Sequence, residues 1–432
     1  WGEVRDLGTG GVFGAAYDVL VWSPGAAPVR PPIPGVDGPN VFVLNDLADM
    51  DAIAAAAKGA KHACVVGAGF IGLELAENFR RLGLEVSLVE MLDHVMPRMD
   101  REMTKPILLE LRNNGVAVYL EETAQAIENG KVALKSGARI ASDFVCLCVG
   151  VRPTSHLAKE AGLDLNARGF IRVDAQQRTS DPDIYAVGDA VEVVDYVTGD
   201  PAAVALAGPA NRQGRIAADA ICGRDSAYTG SQGTGIVKVF GLAAAQTGLT
   251  EQQVKALGMP YRRVYVHPMQ HPRYYPGAQM ISVKLLFEED GRILGAQAIG
   301  AEGVDVLINA IALAQRAGLT VEDLEHAELA YSPQWGGAKH GVNFVGFVAS
   351  NVLRGDVETV EADAAPEDIY WLDVRNPDEV AAGAVPGAAV IPLDQLRSRL
   401  AEVPRDREIG VYCAVGLRGY IASRFLKQQG FR

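Results

Sequence analysis

Cys413 stands in the string V-Y-C-A-V-G-L-R-G at residues 411–419, and its chemistry depends on what surrounds it. A strand that feeds a cysteine into a short loop, closed by a helix from about Tyr420, ranges backbone N–H groups and a positive helix end around the sulfur. Such a setting favours a thiolate or persulfide anion, and Arg418 adds a cation. A buried structural cysteine is the ordinary alternative for any single Cys, but C-x-x-G-x-R at a strand-to-helix junction argues for the reactive reading. A second constellation is Gly67-Ala68-Gly69-Phe70-Ile71-Gly72, which opens a helix directly after an apolar strand. Its glycines permit a tight turn and close backbone approach to a pyrophosphate at the helix N-terminus. Glu90, 18 positions past Gly72 at the end of the next strand, is placed to accept hydrogen bonds from adenosine ribose hydroxyls. Its charge would repel a 2′-phosphate and favour NADH over NADPH. Glu74, on the first helical turn, is either a surface acid or a neighbour of the nicotinamide. A third string, T-S-D-P-D-I-Y-A-V-G-D-A at 179–190, is a short apolar strand ending in Gly188 and Asp189. Alone it is consistent with a buried strand that ends in a turn.

The elements that must position these residues follow from the hydrophobic pattern. Residues 17–21 are strand-like and lead into the turn Ser23-Pro24-Gly25-Ala26-Ala27-Pro28, after which the Pro-rich stretch 30–39 crosses to new structure. Strand 63–66, the glycine turn, helix 73–82 and strand 85–89 form one βαβ unit. Alternation continues through 116–120, 131–134 and 144–149 to Gly150-Val151-Arg152-Pro153, so the nucleotide-binding domain is expected at 46–160. A small-residue helix over 204–221 follows Asp189. Alternating strands at 235–240, 261–267, 280–287 and 293–299 and a helix at 303–317 predict an α+β domain. The acidic stretch 358–366 reads as a linker, and 369–374 begins a further αβ unit.

Composition bounds the function. The chain has 432 residues, 49% of them hydrophobic, and contains no run of about eighteen uncharged apolar residues, so about two to four globular domains and no membrane segment are expected. A net charge of −13 argues against a nucleic-acid partner, because such binding is largely phosphate neutralisation by Lys and Arg. Five scattered cysteines suit a reducing cytoplasm better than a disulfide framework. Cys64, Cys146, Cys148 and Cys222 read as small core residues, and none has metal-ligand spacing. His267 and His271 read as solvated loop histidines, and the loop aromatics Tyr274, Tyr275, Tyr331 and Trp335 as core, interface or active site alike. With Trp1 first and no leader, the chain is expected to be cut at its N-terminus, and its end after Gly430-Phe431-Arg432 suggests the same there.

These strings in this order resemble the flavin-dependent pyridine nucleotide-disulfide oxidoreductases. Within them the chain is similar to the coenzyme A-disulfide reductase, NADH oxidase and persulfide reductase group that carries a C-terminal rhodanese domain. The resemblance rests on the 23–28 turn, G-A-G-F-I-G-L-E-L-A-E at 67–77, V-G-V-R-P at 149–153, A-V-G-D-A at 186–190, A-N-R-Q-G-R at 210–215, Y-Y-P-G-A at 274–278, A-K-H-G-V-N at 338–343, D-V-R at 373–375 and the Cys413 loop. It implies an α/β chain of Rossmann-like domains with a remnant of the FAD domain at 1–45, the NAD(P) domain at 46–160 and the rest of the FAD domain at 161–231. A dimerisation domain at 232–352, a linker at 353–366 and a rhodanese-like domain at 367–432 would follow. FAD would lie on Ser23, Pro24, Gly25, Ala26, Gly150, Gly188, Asp189 and Ala207. The nicotinamide cofactor would lie on Gly67, Gly69, Phe70, Ile71, Gly72, Glu74 and Glu90, with NADPH as the alternative. Tyr275 and Tyr331 would approach a partner subunit's redox site, and Asn211 and Lys339 would meet an anionic substrate. The implied activity is hydride transfer from NADH to FAD and onward to a disulfide or persulfide of coenzyme A type, in a homodimer. An NADH oxidase or peroxidase is the alternative, and a sulfur carrier on a nucleotide-binding scaffold is a third reading. Three departures stand out: a Gly-rich FAD turn and an S-x-x-x-C redox segment are absent from these 432 residues, and Trp335 and His340 stand where the group often has Tyr and Asp.

Overall fold

Apolar runs that alternate with helices become a parallel sheet buried on both faces. The computed structural model describes residues 2–360 and 368–431, so the 361–366 part of the expected linker lies outside the described residues. Its chain divides into two compact units, residues 1–257 with 295–308, and residues 258–294 with 309–432.

In the first unit a five-stranded parallel sheet runs in the order Val41–Phe42, Phe144–Leu147, His62–Val66, Glu85–Val89, Val116–Tyr119. Helix Phe70–Arg81 buries Leu73, Ala76 and Phe79, and Phe79 meets Phe144 edge-on at 5.1 Å. A three-stranded antiparallel meander of Ala124–Glu128, Lys131–Leu134 and Arg139–Ala141 shares a core with this sheet through Val132, Leu134, Ile140, Val145 and Leu147. The run 131–134 therefore belongs to the meander and not to the parallel alternation. A separate core around Ile171, Ile184, Ala186, Ala190 and Val191 carries the parallel pair Leu20–Trp22 and Ile184–Ala186. Strands Gly235–Val239 and Leu242–Gly248 pair antiparallel, and the latter also pairs with residues 295–300. The strand at 242–248 is absent from the sequence reading: L-A-A-A-Q-T-G has no β-branched alternation, and its conformation is set by its neighbours.

The second unit holds the hairpin of Arg262–Val266 and Ser282–Phe287 and the helices Val321–His326 and Gly341–Leu353. Asn343 ties the two helices by donating to the carbonyls of Leu324 (3.2 Å) and Ala327 (2.7 Å). The remainder is a parallel three-stranded sheet, Ala389–Val390, Tyr370–Asp373 and Ile409–Tyr412, packed against helix Leu417–Gln428 over Leu372, Val374, Ile391, Leu396 and Leu426.

A buried acid holds the first unit's segments together. Asp100 accepts from Gln297 Nε2 at 2.6 Å and from the Glu251 N–H at 3.1 Å, while its own N–H donates to Gln297 Oε1 at 2.8 Å. Removing that carboxylate strands buried donors, so Asp100→Ala is expected to cost about 2–4 kcal/mol. The urea-unfolding midpoint checks it, and an unmoved midpoint would contradict it.

Candidate functional site

The nucleotide turn is shaped by lack of room. Strand His62–Val66 ends at Gly67, which adopts φ +103°, and a Cβ there would overlap the Cys148 carbonyl on the adjacent strand's exit. A Cβ on Gly72 would overlap the Gly67 carbonyl oxygen. Both contacts pull the helix start onto the strand end. Gly69 caps helix Phe70–Arg81 with no side-chain hydrogen bond, and no atom lies within 4 Å of where its Cβ would stand; the first helical N–H groups have no partner inside the helix. Glu90 is buried at 4% exposure, its Oε2 accepting the Ala68 N–H at 2.8 Å and its Oε1 the Leu92 N–H at 3.0 Å. The acid is therefore also a brace of the turn, a role its spacing does not disclose. Phe70 lies against Gly235 and Ile71 is 41% exposed. Burial, and then the charge of Glu77, raise the Glu74 carboxyl above its ordinary range.

Three segments distant in sequence meet at the turn after Trp22. Val187 donates to the Trp22 carbonyl at 3.0 Å, extending the pair Leu20–Trp22 and Ile184–Ala186 to the Ser23-Pro24-Gly25 turn. Strand Ala26–Pro28 pairs antiparallel with Val151–Pro153, Thr154 donates to the Gly25 carbonyl at 3.0 Å, and Val29 to the Gly150 carbonyl at 2.9 Å. Gly188, at φ +84°, donates to Oε1 of Gln213, a 1%-exposed residue on helix Ala207–Ile221. Gln213 sits inside the A-N-R-Q-G-R string but was not singled out by sequence; its partner is 25 positions away. Burial raises the Asp189 carboxyl above its ordinary range, and no cation pairs with it among the described residues. Ala207 and Asn211 lie exposed on the first turns of the same helix, Asn211 donating to the Ala207 carbonyl.

In the second unit strand Ile409–Tyr412 delivers Cys413 to a loop that closes on helix Leu417–Gln428. The Gly416 N–H points at Sγ from 3.2 Å and the Gly419 N–H from 3.4 Å, and Gly416 takes φ +91° to allow it. Arg418 lies close enough to Cys413 for their charges to interact, and its Nη1 and Nη2 grip both oxygens of Glu379 at 2.7 and 2.6 Å. The pair holds the Glu379 carboxyl down at about 2 and pushes the Arg418 guanidinium up. Asp373 is fully buried; burial raises its carboxyl, but the Nε and Nη2 bonds from Arg375, at 3.0 and 2.7 Å, outweigh it and hold it low. Arg375 in turn lies over the Tyr412 ring at 5.5 Å, and the Tyr412 hydroxyl accepts the Val385 N–H at 3.1 Å.

The remaining candidates sit apart from these groups. The Tyr274 and Tyr331 hydroxyls are 3.3 Å apart, Tyr275 meets the His271 ring edge-on, and Trp335 is 83% exposed. Lys339 is exposed, with Nζ over the rings of Phe344 and Phe347. His340 caps helix Gly341–Leu353 by accepting the Val342 N–H at Nδ1, the task an Asp would do there, and burial lowers its pKa. Two sequence readings are corrected. His271 is buried and His267 half-buried, the latter bonded to Ser282 and with its pKa lowered by burial, so neither is a solvated loop residue. Cys222 is exposed at a helix C-cap, whereas burial pushes the Cys64 and Cys148 thiols up to about 12 and raises Cys146 as well. The one group with metal-ligand proximity among the described residues is Asp100, Glu102 and Glu251, and all three are engaged, Asp100 as above and Glu251 with Lys255 at 2.7 Å.

A Gly-rich turn between a parallel strand and a helix agrees with the family profiles. The pyridine nucleotide-disulphide oxidoreductase profile matches residues 2–214, its dimerisation domain 234–338, and the rhodanese-like domain 356–432. An NADH oxidase of Methanocaldococcus jannaschii is 35% identical over 330 residues, 75% of this chain and 73% of that one. The chain belongs to the pyridine nucleotide-disulphide oxidoreductase family. Its mixed α/β fold, with dimerisation and rhodanese-like domains, is shared with reduced CoADR-RHD from Bacillus anthracis at 45% identity and TM-score 0.97, over 100% of this chain and 79% of that one. An NAD-dependent persulfide reductase from A. fulgidus matches at 37% identity and TM-score 0.93, over 99% and 80%.

Glu90 generates a prediction. Glu90→Ser removes both the charge and the brace, so NADH should bind about tenfold more weakly and lose its advantage over NADPH. Fluorescence titration with both nucleotides tests this; equal affinities in the wild type would contradict the role given to Glu90.

Proposed function

We propose that this chain is the nicotinamide-binding and sulfur-transferring body of an FAD-dependent NADH:disulfide or persulfide oxidoreductase, working as a homodimer on a small thiol-bound sulfur substrate of coenzyme A type in a reducing cytoplasm. One observation carries the reading: a nucleotide turn and a cysteine held by backbone N–H groups occur in one chain, the latter with both glycine N–H groups within 3.4 Å of Sγ. The likeness to CoADR-RHD and to the A. fulgidus persulfide reductase supports it.

The residues fit the two cofactors. Gly67, Gly69, Phe70, Ile71 and Gly72 would seat the pyrophosphate of NADH on the helix N-terminus, with Glu90 toward the ribose and Glu74 nearer the nicotinamide. An anion at the helix start would meet the N–H groups that have no partner inside the helix, and Gly69 leaves room for it. Asp189, desolvated and without a cation, is suited to accept from flavin hydroxyls, and the segments around Ser23, Pro24, Gly25, Ala26, Gly150 and Gly188 would line the same cofactor with Ala207 at the helix start. When bound, the flavin supplies two-electron transfer between the nicotinamide and sulfur. Asn211 and Lys339 are proposed to contact the anionic substrate, and Tyr275 and Tyr331 to face a partner subunit.

The chain's own sulfur chemistry is at Cys413. Its thiolate attacks the outer sulfur of a persulfide; the new S–S bond forms at Sγ as the donor's S–S bond breaks and the donor leaves as a thiolate. The loop N–H groups then hold the negative outer sulfur.

Cys413→Ser is expected to abolish sulfur transfer to cyanide while NADH affinity stays at the wild-type value. Thiocyanate release and fluorescence titration read the two halves. Transfer at the wild-type rate without Cys413 would make the loop structural and overturn this part of the proposal.

A further inference from the structure

We propose that Arg424 and Lys427 form an ionic latch that seats the sheet-and-helix layer carrying Cys413 on the C-terminal end of helix Gly341–Leu353, and so holds that layer in one place beside the helix pair. The latch is an interaction surface within the chain, and it does not depend on Cys413 carrying sulfur. Its receiving side is a helix end that calls for cations. Helix Gly341–Leu353 stops in a left-handed turn: Gly355 takes φ +69°, its N–H donates to the Val352 carbonyl at 3.1 Å, and the Asp356 N–H donates to the Asn351 carbonyl at 2.9 Å. The turn uses the N–H groups of these two residues and leaves their carbonyls to find partners outside it. They lie at the negative end of the helix dipole, where the Asp356 carboxylate adds the unfavourable charge. Arg354, at the cap itself, is given to Glu322 and Glu325 at 3.5 and 3.1 Å.

Helix Leu417–Gln428 supplies the cations. Arg424 Nη1 donates to the Asp356 carbonyl at 2.6 Å and to its Oδ1 at 2.7 Å, and Lys427 Nζ donates to the Gly355 carbonyl at 2.8 Å. Three positions apart, the two cations share one side of their helix. Ala422 and Leu426 of the same helix are buried in the core beneath it. One helix therefore packs on its own sheet and grips the end of another. It is also the helix that starts at the Cys413 loop, where Gly419 donates to Sγ at 3.4 Å. The side chains of Arg424 and Asp356 are 32 and 37% exposed, so water screens their pairing and the bonds to main-chain carbonyls carry much of the grip. Partly exposed bonds of this kind can open, which makes the contact a latch whose strength depends on each cation.

The test follows the tumbling of the Cys413 layer in the full chain. A fluorophore is attached at Asp394→Cys, an exposed position on that layer, with Cys222→Ser and Cys413→Ser to keep the labelling single. With the latch residues in place, the time-resolved anisotropy should decay with the whole molecule once the fast wobble of the dye is over. Arg424→Gln/Lys427→Gln should add a component of intermediate speed, from a layer that tumbles by itself, with an amplitude about tenfold above the latched background. Asp356→Asn weakens the same grip from the other side and leaves helix Leu417–Gln428 untouched. It should add a smaller component, and it decides the matter if the double variant does not fold. In chains that keep Cys413, thiocyanate formation from glutathione persulfide and cyanide should be equal with and without the latch, because a small acceptor reaches the loop either way. A decay unchanged in the folded variants, or an intermediate component already at full amplitude with the latch residues in place, overturns the latch. Thiocyanate formation lost in the latch variants also overturns it, by making the two cations supports of the Cys413 loop. A chain that forms no thiocyanate in any variant, yet gains the intermediate component without the cations, removes the sulfur-transfer reading and leaves the latch standing.

Discussion

Where a parallel strand turns directly into a helix, several backbone N–H groups have no partner inside either element, and the chain must present them to something. Two of the constellations depend on that constraint. At the glycine turn, the crowding of Gly72 on Gly67 and of Gly67 on the Cys148 carbonyl forces the helix start against the strand ends. At Cys413, the left-handed Gly416 lets the loop curl so that two N–H groups converge on one sulfur. Neither arrangement needs a cationic side chain to attract an anion. This is how a chain of net charge −13 can receive anionic ligands at chosen points.

Side chains then adjust what the backbone offers. Glu90 braces the glycine turn by accepting the N–H groups of Ala68 and Leu92. Glu379 holds Arg418 in place beside Cys413 through a two-point ion pair. Burial without a partner does the reverse at Asp189, raising its carboxyl and leaving its oxygens for other donors.

Much of this was legible in the sequence because glycine spacing reports backbone conformation directly. G-A-G-F-I-G after an apolar strand and C-x-x-G-x-R before a helix each name a turn, and the structure places both at such junctions. The less legible features are pairings across sequence. Arg418 and Glu379 are 39 positions apart, Gly188 and Gln213 are 25, and neither pairing leaves a periodic trace. Burial of short loops was equally hidden: His267 and His271, beside prolines, have the composition of an exposed loop yet pack inward. Cys222 errs the other way, an apolar-sized residue left outside at a helix end. The small-residue strand Leu242–Gly248 shows that pairing on both edges can impose a conformation its residues do not prefer.

The account's central claim is that convergent backbone donors, and not exposure, choose which sulfur carries the persulfide. Cys222 provides an internal comparison, since it is the more exposed thiol but ends a helix without such a loop. Peptide mass spectrometry after brief exposure of the whole chain to a persulfide donor measures this directly. The account predicts one added sulfur atom on the peptide containing Cys413 and none on that containing Cys222; sulfur on Cys222 with Cys413 unmodified would contradict it.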